Sequence, residues 1–311
     1  MANYAARRVA AFVPVLVGVS LLVFGILRLI PGDPARILLF GTQPTQEQLE
    51  QLRQQLGLTR SLPHQYAVYL ENLFRGDLGT SFTTAQPVSH DILQRLPSTL
   101  ALAGAAMLVA IGIGIPLGIV AGMRPGGIVD RLATGVSVLG LAVPYFWLAF
   151  LLILLFAVRL RWLPSLGTGS PQAIILPALS LGIGFASVIT RLMRSSLIDT
   201  YQQPYVKLAR AKGLSERAVL FRHAMPNALV SVVTILGIEF GAMVSGAVVI
   251  EVVFGRPGLG SYLVTAIQDK DIPAVQGTVL VISVLYLVIN LCVDLTYGLL
   301  DPRVRASWRS G

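Results

Sequence analysis

The chain has 311 residues, of which 54% are hydrophobic and only 13% charged. Soluble domains carry about 25% charged residues, so this composition excludes an ordinary water-soluble enzyme or binding module and describes a membrane protein. The formal charge of +9 would suit a nucleic-acid ligand, but in a membrane protein it must first be divided between the two sides of the bilayer.

A helical span takes about 20 mostly apolar residues. Six stretches qualify: Val9–Ile30, Ser98–Gly122, Leu132–Val158, Gln172–Ile189, Ala228–Ile250 and Gly277–Leu300. Arg7 and Arg8 precede an apolar run longer than a signal-peptide core and without an A-x-A exit, so the first stretch is expected to be retained as a span. Six spans put both termini on one side. That side carries two Lys or Arg before the first span, two in Met123–Arg131, seven in Thr190–Asn227 and three after Leu300, fourteen in all. The short loops on the other side, Arg159–Pro171 and Glu251–Gln276, carry four between them. The bias places the termini and the Thr190–Asn227 loop in the cytoplasm. The positive charge is then an orientation signal and a docking surface, with no nucleic-acid site required.

The expected division is therefore a cytoplasmic N-terminus and first span (1–30), an extracytoplasmic loop domain (31–97), a five-helix core (98–300) and a cytoplasmic tail (301–311). The loop domain reads as folded. Pro31–Pro34 is a turn, Gln46–Leu56 carries Leu49, Leu52 and Leu56 at helical spacing before Gly57, and His64–Phe74 aligns Tyr66, Tyr69, Leu70 and Leu73.

One basic, amphipathic stretch, Tyr201–Asn227, interrupts the apolar core. Pro204 suits a first helical turn, and Gly213 falls where that helix should stop. Ser215 is an N-cap for a second helix, with Glu216 at its positive end, and Pro226 is expected to close the unit. Tyr205, Leu208 and Ala209 are expected to share one face, with Lys207 and Arg210 on another. Two short helices hinged at a glycine between spans have the shape of a docking element; the other reading is an interfacial helix on anionic lipid.

This stretch resembles the cytoplasmic coupling loop of ABC importer permeases, Glu-Ala-Ala, three residues, Gly, nine residues, Ile-x-Leu-Pro. Ala209, Gly213 and Pro226 match, whereas Lys207, Leu208, His223 and Met225 replace the glutamate, first alanine, isoleucine and leucine. The form ARAKG followed by RHAMPNA is similar to the peptide, nickel and glutathione branch, as are PGDP, QLGL and GDLG before the second stretch, EVVFGRPGLG after the fifth and the closing LDPRVR. The resemblance covers nearly the whole chain. It implies an all-α fold of six transmembrane helices, the type I importer permease fold, with a folded extracytoplasmic loop, in a bacterial or archaeal cytoplasmic membrane. It implies that Tyr205, Lys207, Leu208, Ala209, Arg210, Ala211, Lys212, Gly213, Leu214, His223 and Pro226 form the ATPase dock. The implied partners are a second homologous permease subunit, two ATPases that bind ATP and Mg, an extracytoplasmic binding protein and a di- or oligopeptide, with glutathione or a nickel chelate as alternatives. No cofactor is expected on this chain, nor any catalysis.

Within the spans, Gly112, Gly114, Gly118 and Gly122, then Gly237, Gly241 and Gly246, have spacings that let helix backbones approach, either inside one subunit or against a second. Pro144 and Tyr145 lie deep in the third stretch, where a proline is tolerated beside protein or a cavity, so path lining and packing both stand. Glu239, near the middle of the fifth, is a candidate contact for a peptide amine, or a protonated group bonded to nearby backbone. Glu251, Pro257, Gly258 and Gly260 are candidates for an outer gate, or for a turn only.

One cysteine, Cys292, excludes an internal disulfide, and His64, His90 and His223 have no metal-ligand spacing. Lys207, Lys212 and Lys270 are the only lysines, and none lies in a G-x-x-x-x-G-K-[ST] frame; no H-E-x-x-H or G-x-S-x-G is present. An ion-driven secondary transporter is the competing reading, but such proteins carry internal repeats and several midplane charges, and this sequence offers Glu239 alone. A scaffold or sensor would leave the glycine and proline pattern at depth without a purpose.

Overall fold

The computed structural model describes residues 2–29, 35, 45–55 and 57–300. Pro31–Pro34 and the closing LDPRVR beyond Leu300 lie outside the described residues. The regular structure of the described residues is helical apart from one isolated bridge between Thr80 and Pro87. Its long helices are α1 (Ala2–Leu29), α4 (Val88–Met123), α7 (Ile175–Tyr201), α10 (Met225–Val253) and α12 (Ile272–Leu300). Between them lie α2 (Gln46–Gln55), α3 (Leu62–Phe74), α5 (Ile128–Ala142), α6 (Tyr145–Leu152), α8 (Pro204–Ala211), α9 (Glu216–Val219) and α11 (Leu259–Gln268).

Five helices are long and apolar enough to cross a membrane, six if α5 and α6 count as one span. Those two are bent by 100° at their junction, so the third stretch, Leu132–Val158, is a broken span. The cause is local. Pro144 has no N–H to donate, and its ring drives Val143 out of the helical region, to ψ 118°. A new helix starts from the Pro144 carbonyl, which accepts from Trp147 and Leu148 N–H at 3.0 and 3.1 Å. It then widens into a π-helical stretch over Ile153–Arg159.

The chain divides into two compact units, 6–97 with 258–287, and 1–5, 98–257 and 288–311. The first of these units groups most of the first span and residues 258–287 with residues of the loop between the first two spans.

In the larger unit α7 is the most enclosed of the long helices. Small residues on α4 admit it. A Cβ on Gly118 would lie 2.6 Å from Met193 Cβ and 2.7 Å from the Thr190 carbonyl oxygen, and one on Gly114 would lie 2.8 Å from Ile189 Cβ. Gly182 of α7 reciprocates against Ala106 and Val109, and Gly122 continues the seam at Leu197. These glycines therefore pack inside one chain, whereas Gly112 has open space beside it. Beyond this seam, Asp130 at the start of α5 takes a two-pronged ion pair from Arg194 of α7, Nη2 donating at 2.7 Å and Nε to the other oxygen. Gly126 N–H donates to the same carboxylate at 2.7 Å.

The smaller unit has its own core of Leu27, Val88, Ile92, Leu259, Tyr262 and Val275. Two buried carboxylates fasten its turns. Asp271 accepts from Ser81 Oγ at 2.5 Å, Thr83 N–H at 3.1 Å and Ala274 N–H at 3.2 Å, and so caps α12. Asp91 accepts from Thr84 Oγ1 at 2.7 Å, Tyr262 hydroxyl at 3.1 Å and Arg95 Nη1 at 3.0 Å. Burial first, then the bond to Asp91, pushes the Tyr262 hydroxyl up to about 12, so it remains a donor at neutral pH.

The seam makes a contrast that can be measured. Gly118→Leu should destabilise the purified chain by about 1–3 kcal/mol, as overpacking does, and lower its melting temperature in detergent. Gly112→Ala, with open space at its Cβ, should not lower that temperature and by helix propensity should raise it slightly. Equal effects would show that α4 does not seat on α7 in this register.

Candidate docking segment and translocation residues

The basic segment begins where α7 ends. Gln203, in an extended conformation, starts α8 with Pro204 in its first turn, as Pro demands. Helix α8 ends in a glycine-closed turn. Leu214 N–H reaches back to the Ala209 carbonyl and Gly213 N–H to that of Arg210 at 2.9 Å, with Gly213 at φ +82°. Ser215 then caps α9, its Oγ accepting from Ala218 N–H at 3.3 Å.

The inward face is not the expected one. Val206 and Ala209 are buried with Val219 against Tyr201, whereas Tyr205 and Leu208 point outward, 43% and 56% exposed. Of the two neighbours of Ala209 one turn back, Val206 takes the inward place against Val219 and Tyr205 is left on the outer side. Lys207, Arg210, Ala211, Lys212 and Leu214 are exposed as well. The outer surface is therefore apolar and basic together.

A clip across Gly213 was not legible in the sequence. Arg210 donates to both oxygens of Glu216, at 2.9 and 3.0 Å, while its guanidinium lies 4.8 Å from the Tyr201 ring centroid. The hydrogen bond to Glu216 raises the Arg210 pKa, and the charge never leaves. Being exposed, the pair adds little stability; it fixes the angle at which α8 leaves Gly213.

Pro226 does not close the unit. Helix α9 widens into a π-helical stretch, Leu220–Ala224, and runs on into α10 with Pro226 in the first turn of that helix. A proline ring collides with the carbonyl four residues back, and the wider turn relieves that collision. His223 is half-buried and Pro226 exposed.

Of the residues expected along a path, Pro144 caps α6 and is exposed, and Tyr145 is half-buried. Glu239 is half-buried on α10, and among the described residues its carboxylate has no hydrogen bond or ion pair. The alternative of a backbone bond is thus not seen. The structure gives Glu239 no bond to Tyr145. Of the four outer-gate candidates, Glu251 is wholly buried and accepts from Thr99 Oγ1 at 2.6 Å, while Pro257 is exposed. Gly258 and Gly260 belong to the other unit, where Gly258 N–H donates to Ser261 Oγ at 2.9 Å at the start of α11 and Gly260 is buried in that helix.

Among the described residues the chain is helical, with five or six spans long and apolar enough to cross a membrane and one amphipathic helix pair between them, which defines a multi-pass α-helical membrane protein. Residues 114–306 match the family described as binding-protein-dependent transport system inner membrane component, and residues 1–103 match its N-terminal counterpart. The glutathione transport system permease protein GsiC of Pectobacterium atrosepticum is 40% identical over 305 residues, covering 98% of this chain and 99% of that one. A putative peptide transport system permease protein of Brucella abortus is 43% identical over 307 residues, covering 96% and 98%. Among solved structures, an inward-facing conformation of the MetNI methionine ABC transporter matches with a TM-score of 0.57 at 22% identity, over 68% of this chain and 96% of that one. An amino acid ABC transporter crystallised with histidines matches with 0.52 at 17%, over 69% and 94%. The two structures share the fold. The chain belongs to the permease subunits of the peptide, nickel and glutathione ABC importer family.

Because a Cβ on Gly213 would meet no neighbour, Gly213→Val tests the backbone alone. A left-handed residue with a side chain costs about 1–2 kcal/mol. Amide exchange across 204–219 should rise on the order of tenfold, with the melting temperature of the spans unchanged. Unaltered exchange would remove the glycine-closed turn as the reason for this residue.

Proposed function

We propose that this chain is the membrane-spanning, non-catalytic subunit of an importer that carries peptides across the cytoplasmic membrane, with its termini and Tyr201–Asn227 on the cytoplasmic side. The observation that carries the reading is the docking segment. Its inner face is fixed by Val206, Ala209 and Val219, and its outer face leaves Tyr205, Leu208 and Leu214 uncovered among basic side chains. An uncovered apolar patch rimmed by charge marks a protein or membrane contact, and the likeness of the segment to a coupling loop favours a protein here. The partner is an ATPase that binds ATP and Mg itself, two copies serving this chain and a second, homologous permease subunit. An extracytoplasmic binding protein delivers substrate to the side carrying residues 31–97. The choice of peptide follows the two relatives, one named for glutathione, itself a small peptide, and one for peptides.

Leu208→Glu puts a charge at the centre of the exposed face without touching the buried one. Co-purified ATPase activity should fall at least about tenfold, as expected where an apolar anchor is lost from an interface, with the melting temperature of the chain unchanged. If no ATPase accompanies the native chain in any mild detergent, the importer reading fails and an ion-driven transporter takes its place.

Along the path we assign Glu239 to the amine of the substrate, with Pro144 and Tyr145 as lining. A carboxylate in a spanning helix with no protein partner is expected to face a cavity or another chain. Uptake in Glu239→Gln should fall, and more for a free amine than for an N-acetylated peptide. Unchanged uptake of both from acid to neutral pH would remove Glu239 from the path.

A further inference from the structure

Arg256 has no part in the dock or the path described above. It follows α10 in the chain, within the larger unit, is only 8% exposed, and its Nε is sealed from solvent with no hydrogen-bond partner. Its backbone N–H donates to the Glu251 carbonyl at 2.8 Å, but among the described residues its guanidinium has no hydrogen bond and no ion pair. A guanidinium remains charged and offers five N–H donors in a planar fork. Burial of such a group without an acceptor is costly, so a structure that keeps one has an acceptor to come.

Glu251 does not fill that place. Its carboxylate is wholly buried and occupied by the Thr99 hydroxyl at 2.6 Å. Burial pulls the Arg256 pKa down, and the field of Glu251 opposes this only in part. The segment is also held firmly. Phe254 is buried and its carbonyl accepts from Gly167 N–H at 3.0 Å, and Gly255, at φ +57°, turns the chain immediately before Arg256. Beside Thr99, the Ser98 hydroxyl is likewise buried without a partner.

We propose that Arg256 is a binding site for the carboxylate of a peptide-like substrate, its guanidinium fork meeting the two carboxylate oxygens as the substrate enters or leaves the outer end of the path. A planar carboxylate is the acceptor that matches this fork with two parallel bonds. The proposal rests on the importer reading above and deepens it by naming the group that is recognised.

The experiment uses the whole complex, with its ATPases and binding protein, in proteoliposomes. One peptide is offered as the free acid and as the C-terminal amide, each at a concentration that saturates the binding protein. The native complex should take up the acid on the order of tenfold faster than the amide, the value of one charge-assisted bond. Arg256→Gln should bring the acid down to the amide rate and leave the amide rate alone; Arg256→Lys, which keeps the charge without the fork, should fall between. Gel filtration checks assembly, and if the Gln variant does not assemble, the Lys variant must still lose acid uptake selectively. Equal loss of both peptides would overturn the proposal in favour of a structural contact or a lipid phosphate, and so would a native complex that ignores the C-terminus. Uptake of neither peptide by the native complex would instead overturn the peptide-importer reading itself.

Discussion

The larger unit depends on one constraint, the close approach of α4 and α7. Lipid tails are as apolar as leucine side chains, so helices inside a bilayer gain little by merely burying apolar surface against each other. They gain by packing at short range, and short range requires small residues. Gly114 and Gly118 open the α4 surface to Ile189 and Met193, and Gly182 opens α7 in return to Ala106 and Val109. Arg194 follows one residue after Met193 and holds Asp130, so the charged contact and the close-packed one share a single register. A slip of α7 along α4 would lose both together.

That register reaches the docking segment by a short route. Helix α7 continues to Tyr201, whose ring receives the Arg210 guanidinium and packs with Val206, Ala209 and Val219. The basic segment proposed as the dock is therefore fixed to the most enclosed helix at one end. At the other it merges with α10 through a π-helical stretch with no intervening loop. A helix pair tied at both ends, with Gly213 as its one left-handed turn, can pass displacement to two spans at once.

The sequence disclosed what depends on composition and short spacing. Apolar runs marked the spans, Pro204, Gly213 and Ser215 marked the helix boundaries of the dock, and the glycines of α4 marked a close approach. What it withheld depends on partners distant in the chain or on competition between local effects. Pro144 was visible as a helix breaker, but a bend of 100° is a tertiary outcome. Pro226 carried a stop signal that the wider π-helical turn absorbed. Tyr205 and Val206 are adjacent and both apolar enough to face inward; Val219, beyond the glycine, decides between them. The bond between Asp130 and Arg194 spans 64 residues, which no local pattern reports. The burial of Arg256 is of the same kind, since RPGLG reads as a Pro/Gly turn whichever way its arginine faces.

Helix α10 links these features mechanically. It starts at the dock, carries Glu239 near its middle and ends just before Phe254 and Arg256. At about 1.5 Å per residue, Glu239 stands roughly 18 Å along the axis from Glu251, too far for one dipeptide to meet both charged positions at once. On the two assignments proposed above, recognition along this helix would be sequential, a carboxylate at the Arg256 end and an amine at Glu239. A weak hold at each of two separated places suits transport better than one strong site, because a substrate bound tightly at one place cannot leave it. Both charges ride on or beside one helix that begins at the end of the basic segment, so on the proposed docking role a displacement there would reach both through the same rod.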